Sequence, residues 1–131
     1  KLQVIQQAYQ KLVAQTDVVI VEGVGGFRVP LSDGIDTADL AESLALPMIL
    51  VVGMRLGCLS HALLTAEAIR ARGLKLAGWV TNQVDPGMAA FDENLYALSK
   101  RLAAPCLGVL PWMETADFRD AAKHLHRENL A

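Results

Sequence analysis

The spacing of apolar residues changes several times along this chain, and each change marks an element. At the start, Leu2, Ile5, Tyr9, Leu12 and Val13 recur at the helical period, so "KLQVIQQAYQKLVAQ" predicts an amphipathic helix. "VVIV" at residues 18–21 is continuously apolar and predicts a short buried strand. Glu22 and "GVGG" follow, then a loop through Pro30 and Gly34. Asp36 is placed to cap a helix over "TADLAESLA", which Pro47 ends. "MILVV" predicts a second strand closed by Gly53. Residues 59–72 predict a helix with Leu59, Ala62, Leu63, Ala66 and Ile69 on one face and Gly73 as its stop.

The third strand is "LAGWV", running on to Thr81 and Asn82. Phe91, Leu95, Leu98 and Leu102 mark another helix, and Pro105 leads into "CLGVL", a fourth strand ended by Pro111. The more polar tail, residues 114–130, predicts a further helix. Apolar strands alternating with helices give an α/β fold, a doubly wound and mostly parallel sheet. There is no internal repeat and no low-complexity segment. Ligands of such sheets sit beyond the carboxyl ends of the strands. That rule selects residues 22–26, 53–61, 82–86 and 111–113.

Composition narrows the picture. A length of 131 residues suits a single domain, residues 1–131, and 53% apolar with 20% charged residues excludes disorder. A net charge of −2 gives no electrostatic footprint for nucleic acid and no polybasic membrane patch. No apolar run approaches the roughly 20 residues of a membrane helix. Cys58 and Cys106 lie far apart without metal-type spacing, as expected of reduced thiols in a cytoplasmic protein. There is no signal-peptide pattern, and the chain opens without Met on a segment already helical in pattern. The expectation is a partial domain from a longer protein.

The strand ends carry compatible chemistry. Glu22, followed by Gly23, Gly25 and Gly26, can hold Mg²⁺ while backbone N–H groups approach phosphate oxygens. A solvated glutamate in a Gly-rich turn fits the same residues. In "VGMRLGCLSHA", Gly57 leaves the first N–H groups of a helix uncovered, an anion site that Arg55 can reinforce. An ordinary loop with Ser60 as the cap fits the same residues. His61 has no ligand-spaced partner and reads as a packed or capping residue. Asn82 offers the donor–acceptor pair that suits the N6 and N7 edge of adenine, or simply forms a turn. "PWM", Pro111 to Met113, supplies flat apolar surface for a base or for the core. His124 and His126 are two apart and do not share a helix face, which argues against a metal site.

Taken together, "VVIVEGVGGFRVPLSD", "PMILVVGMRLGCLSHALLTAEAI", "LAGWVTNQV" and "LGVLPWM" resemble the C-terminal portion of the dethiobiotin synthetase family, in order and with its spacing over residues 1–113. The resemblance implies a P-loop NTPase-like fold. It also implies an ATP- and Mg²⁺-dependent carbon–nitrogen cyclo-ligase of biotin biosynthesis, a cytoplasmic homodimer. Its substrates would be 7,8-diaminopelargonate and CO₂. By the same resemblance, Glu22 matches the Mg²⁺ ligand and Gly25 lies in the loop beside the γ-phosphate. Asn82 matches the adenine-contacting residue, and Pro111, Trp112 and Met113 match the segment lining the base. Gly57, Cys58, Leu59 and Ser60 match the helix start that binds the substrate carboxylate across the dimer interface. A carbamate formed from amine and CO₂ would attack the γ-phosphate. The second amine would then displace phosphate from the mixed anhydride.

The sequence departs from that family in two places. No G-x-x-x-x-G-K-[ST] loop occurs in the 131 residues, nor the lysine-bearing segment that follows it in the family. The chain alone is therefore expected to be inactive, with no catalytic residue beyond the metal ligand. Position 60 is Ser, where some relatives carry Asn. Two alternatives stand beside this reading. One is a cobyrinate-type ATP-dependent synthase of the same superfamily, disfavoured because neither cysteine has a nucleophile's setting. The other is a truncated, non-catalytic dimerisation or binding module.

Overall fold

The structure, a computed structural model, describes residues 2–115, 117–126 and 128. The chain divides into two compact units, residues 1–46 and residues 47–131.

In the first unit, α1 (Leu2–Val13) forms as its periodicity predicts, yet none of its residues is buried. Its Gln6 amide donates to the Ser43 carbonyl at 3.3 Å. Residues 18–21 form no strand. They are apolar enough to be one, but a strand exists only through its ladder, and no described residue pairs with them. Ile20 is accordingly 88% exposed.

A hairpin that the periodicity does not predict follows, β1 (Pro30–Ser32) against β2 (Ile35–Asp36), antiparallel. Its turn is Asp33–Gly34, with Gly34 at φ 75°, a conformation glycine takes without penalty. Asp36 then caps α2 (Thr37–Leu44), as expected. Its side chain accepts from the N–H groups of Ala38 and Asp39, and the Asp39 carboxylate accepts from the Asp36 N–H at 2.7 Å. This reciprocal capping box satisfies donors that the first helical turn leaves open.

The second unit is a three-stranded parallel sheet in the order β3 (Met48–Met54), β4 (Leu76–Gln83), β5 (Cys106–Leu110). The helices α3 (Cys58–Ala71) and α4 (Phe91–Arg101) make the crossovers and touch each other on one face. β3 runs through Gly53 rather than stopping there, with Gly53 opposite Asn82 and Met54 opposite Gln83.

Alternation places Val52 and Met54 under the helices, whereas Ile49 and Val51 on the other face are about half exposed. Small residues Ala62 and Ala66 let α3 lie close on the sheet, and Trp79, fully buried on β4, fills the centre of the cluster. The Trp79 indole N–H donates to the Ala104 carbonyl at 3.0 Å, so the largest core side chain leaves no donor unmet.

Among the described residues the tail is α-helical over α5 (Phe118–Ala122), shorter than the helix its composition predicts; residues 116, 127, 129 and 130 of that range lie outside the described residues. After α5 the chain turns to pair with β5 through a Gly108–Leu125 bridge, and the His126 N–H donates to the Leu107 carbonyl at 2.7 Å. Gly108 permits this approach, because a Cβ there would stand 2.2 Å from the His124 carbonyl oxygen.

Candidate functional site

Parallel strands put all their carboxyl ends at one edge, so β3, β4 and β5 deliver three of the predicted segments side by side. Asn82 sits opposite Gly53 on β3 and Leu110 on β5. Pro111 to Met113 leave β5 one residue later. Across this rim the Trp112 N–H donates to the Gln83 side-chain oxygen at 3.3 Å, which ties the tips of β4 and β5 together beside Asn82. Periodicity gave no hint of Gln83. Its polarity at the end of an apolar strand was the available signal. Asn82 is half-buried and Trp112 is 48% exposed, so both a polar edge and a flat apolar surface remain accessible.

On the same rim, β3 leads within four residues into α3. Gly57 occupies the cap position at φ 89°, and no side chain caps the helix. Ser60 is therefore not the cap; it lies inside the first turn and is exposed. The Cys58 N–H goes to the Arg55 carbonyl and the His61 N–H to the Gly57 carbonyl. The N–H groups of Leu59 and Ser60 meet no backbone acceptor among the described residues. Two open donors at the start of a 14-residue helix attract an anionic group, helped by the dipole. The Cys58 side chain is 5% exposed and belongs to the core, so this residue faces a ligand only through its backbone. His61 is exposed.

Glu22 and Gly25 belong to the first unit. Glu22 is exposed, at the end of the unpaired apolar run rather than of a strand. Gly25 and Gly26 take φ of 80° and 144°, and the turn folds back so that the Val29 side chain lies 3.6 Å from where a Gly25 Cβ would be. No group of three or more His, Cys, Asp or Glu able to hold a metal ion occurs among the described residues. A single exposed carboxylate beside such a turn fits Mg²⁺ brought in with phosphate oxygens, which usually needs only one or two protein carboxylates.

The far side of this loop is fastened by a residue that sequence reasoning passed over. The Thr37 hydroxyl lies 2.7 Å from the Phe27 carbonyl and 3.1 Å from that of Gly26, and it accepts from the Val29 N–H at 3.0 Å. The Thr37 N–H in turn donates to the Val29 carbonyl at 2.9 Å. Beside it, the Arg28 guanidinium pairs with Asp36.

A family model described as "AAA domain" matches residues 1–119. An ATP-dependent dethiobiotin synthetase BioD of Aromatoleum aromaticum is 64% identical over 121 residues, 92% of this chain and 54% of that protein. Its namesake in Nitrosospira multiformis is 54% identical over 95% of this chain and 55% of its own length. Another, from Xanthomonas campestris pv. campestris, is 50% identical over 92% and 54%. The chain spans about half the length of the curated relatives it matches. No helix among the described residues is long and apolar enough to cross a membrane. With a family match over residues 1–119 and half or more of its aligned positions identical to those relatives, the chain belongs to the AAA domain family and is a relative of the ATP-dependent dethiobiotin synthetases.

Proposed function

We propose that this chain is the C-terminal share of an ATP- and Mg²⁺-dependent dethiobiotin synthetase. The enzyme would carboxylate 7,8-diaminopelargonate with CO₂ and close the ureido ring at the expense of ATP. The observation that carries this reading is the shared rim of β3, β4 and β5. There Asn82, with the donor and acceptor that an adenine edge needs, an accessible Trp112 and a helix start with open N–H groups stand at one edge of one sheet, which supports the reading. The relatives' names supply the reaction class.

In this reading Asn82 holds the adenine edge, while Pro111, Trp112 and Met113 wall the base. The N–H groups near Leu59 and Ser60, with Gly57 giving the approach, receive the carboxylate of the diamine acid from a second subunit of a homodimer. Glu22 would hold Mg²⁺, and Gly25 lets the backbone pass close to the terminal phosphate. When bound, Mg²⁺ offsets charge on the phosphates as the carbamate attacks. Glu22 has no role as a base. The enzyme is cytoplasmic and uses neither nucleic acid nor membrane as a partner.

The direct test is the complete gene product, incubated with 7,8-diaminopelargonate, ¹³C-bicarbonate and Mg–ATP, with products read by mass spectrometry. Labelled dethiobiotin, with ADP and phosphate, is expected. Its absence from a folded, dimeric preparation refutes the assignment. The DNA upstream of Lys1 gives an independent check, since the reading requires an in-frame strand followed by G-x-x-x-x-G-K-[ST].

A further inference from the structure

We infer that Thr37 is a positioning residue for the Mg–nucleotide, acting through the Gly-rich turn that carries Glu22 and Gly25; the inference rests on the function proposed above. Two consecutive residues of that turn, Gly25 and Gly26, have positive φ and no side chain with which to hold themselves. Left free, such backbone loses more entropy on ordering than any other kind. Its order must be supplied from outside, and three of the contacts that supply it meet at one atom. The Thr37 Oγ1 faces the carbonyls of Gly26 and Phe27 and takes the Val29 N–H, while its residue is only 9% exposed.

Thr37 is also the first residue of α2, which the Asp36–Asp39 capping box fixes independently. The hydroxyl therefore projects from a rigid base. The turn is pinned at Gly26, one residue beyond Gly25 and four beyond Glu22. A carboxylate at the mouth of a pinned turn presents one geometry to a metal. At the mouth of a loose turn it must be ordered by the ligand, which weakens binding.

Replacing the hydroxyl by a methyl of the same shape leaves the carbonyl that takes its single proton, and the Val29 N–H, short of a partner without altering volume. The test uses the complete gene product and three variants, Thr37→Val, Thr37→Ser and Thr37→Ala. Val29 amide exchange reports the pin, calorimetry with Mg–ATP reports the site, and separate Michaelis constants are taken for ATP and for the diamine acid.

In Thr37→Val, faster Val29 exchange and a Kd for Mg–ATP raised about tenfold are expected, the loss typical of one unmet buried hydrogen bond. The Michaelis constant for ATP should follow, that for the diamine acid should not, and Thr37→Ser should return all three near wild type. Thr37→Ala, which adds no bulk, carries the same expectation should the valine variant fail to fold. Freed Val29 exchange with an unchanged Kd would make Thr37 a purely structural residue and overturn the inference. So would a serine variant as weak as the valine one. A wild-type protein that binds Mg–ATP yet forms no dethiobiotin refutes the functional reading instead, and one that binds no Mg–ATP refutes both.

Discussion

Gly108→Ala tests whether the tail is held to β5 by close backbone approach. The new methyl carbon would stand 2.2 Å from the His124 carbonyl oxygen and 2.9 Å from a Leu125 methyl. Ordinary contact begins near 3.4 Å, so the carbonyl must retreat by about 1 Å. Backbone cannot rotate away as the end of a side chain can. A shift of that size breaks the 2.7 Å bond from the His126 N–H to the Leu107 carbonyl, at a cost of about 1 kcal/mol. Leu125 is already 42% exposed, so its remaining burial is worth roughly another 1 kcal/mol.

A total near 2 kcal/mol is small beside the ~5–15 kcal/mol that holds a typical domain, so local release of the tail costs less than global unfolding. Amide exchange at His126 should therefore accelerate about 30-fold while the core amides of β4 keep their protection. Leu125→Ala, which trims the side chain but leaves the carbonyl in place, should free His126 far less. If His126 in Gly108→Ala exchanges as slowly as in wild type, the close approach does not hold the tail.

Three further outcomes are expected. In the complete gene product, Glu22→Gln should lower Mg²⁺-dependent turnover by about 100-fold or more, read as initial rates across a Mg²⁺ titration; near-normal rates at limiting Mg²⁺ would remove Glu22 from the site. Ser60→Asp places an anion at the open start of α3 and should raise the Michaelis constant for the diamine acid roughly tenfold at low salt. An unchanged constant would count against carboxylate binding there. Trp79→Phe removes the donor to Ala104 and should cost about 1–3 kcal/mol in urea unfolding, whereas Trp79→Ala should cost about 3–5 kcal/mol; an unchanged stability in Trp79→Phe would show that the hydrogen bond contributes nothing beyond packing.

What the sequence disclosed follows the range of the contacts involved. Helix α3 and strands β3 to β5 were legible because each βαβ unit buries its apolar face against neighbours adjacent in the chain. The Asp36 cap was legible because its partners are two and three residues away. Residues 18–21 have strand composition, but composition cannot provide the neighbour a ladder needs. The hairpin of Pro30–Ser32 with Ile35–Asp36 is too short for alternation to register, although Asp33–Gly34 is a turn signal that would have found it. The tail carries a polar helical pattern, yet Gly108, seventeen residues earlier, draws Leu125 into a bridge. Thr37 and Gln83 were missed for the same reason. A hydroxyl that binds backbone eight to eleven residues upstream, or an amide that reaches a neighbouring strand, is specified by the fold and by no local pattern.

The consecutive order of β3, β4 and β5 has a kinetic consequence. As this unit emerges from the ribosome, β4 and then β5 find the strand they pair with already synthesised and separated from them by a single helix. Each pairing closes over one crossover helix and so costs less chain entropy than a pairing across the whole unit would, and the sheet can grow one strand at a time without waiting for later sequence.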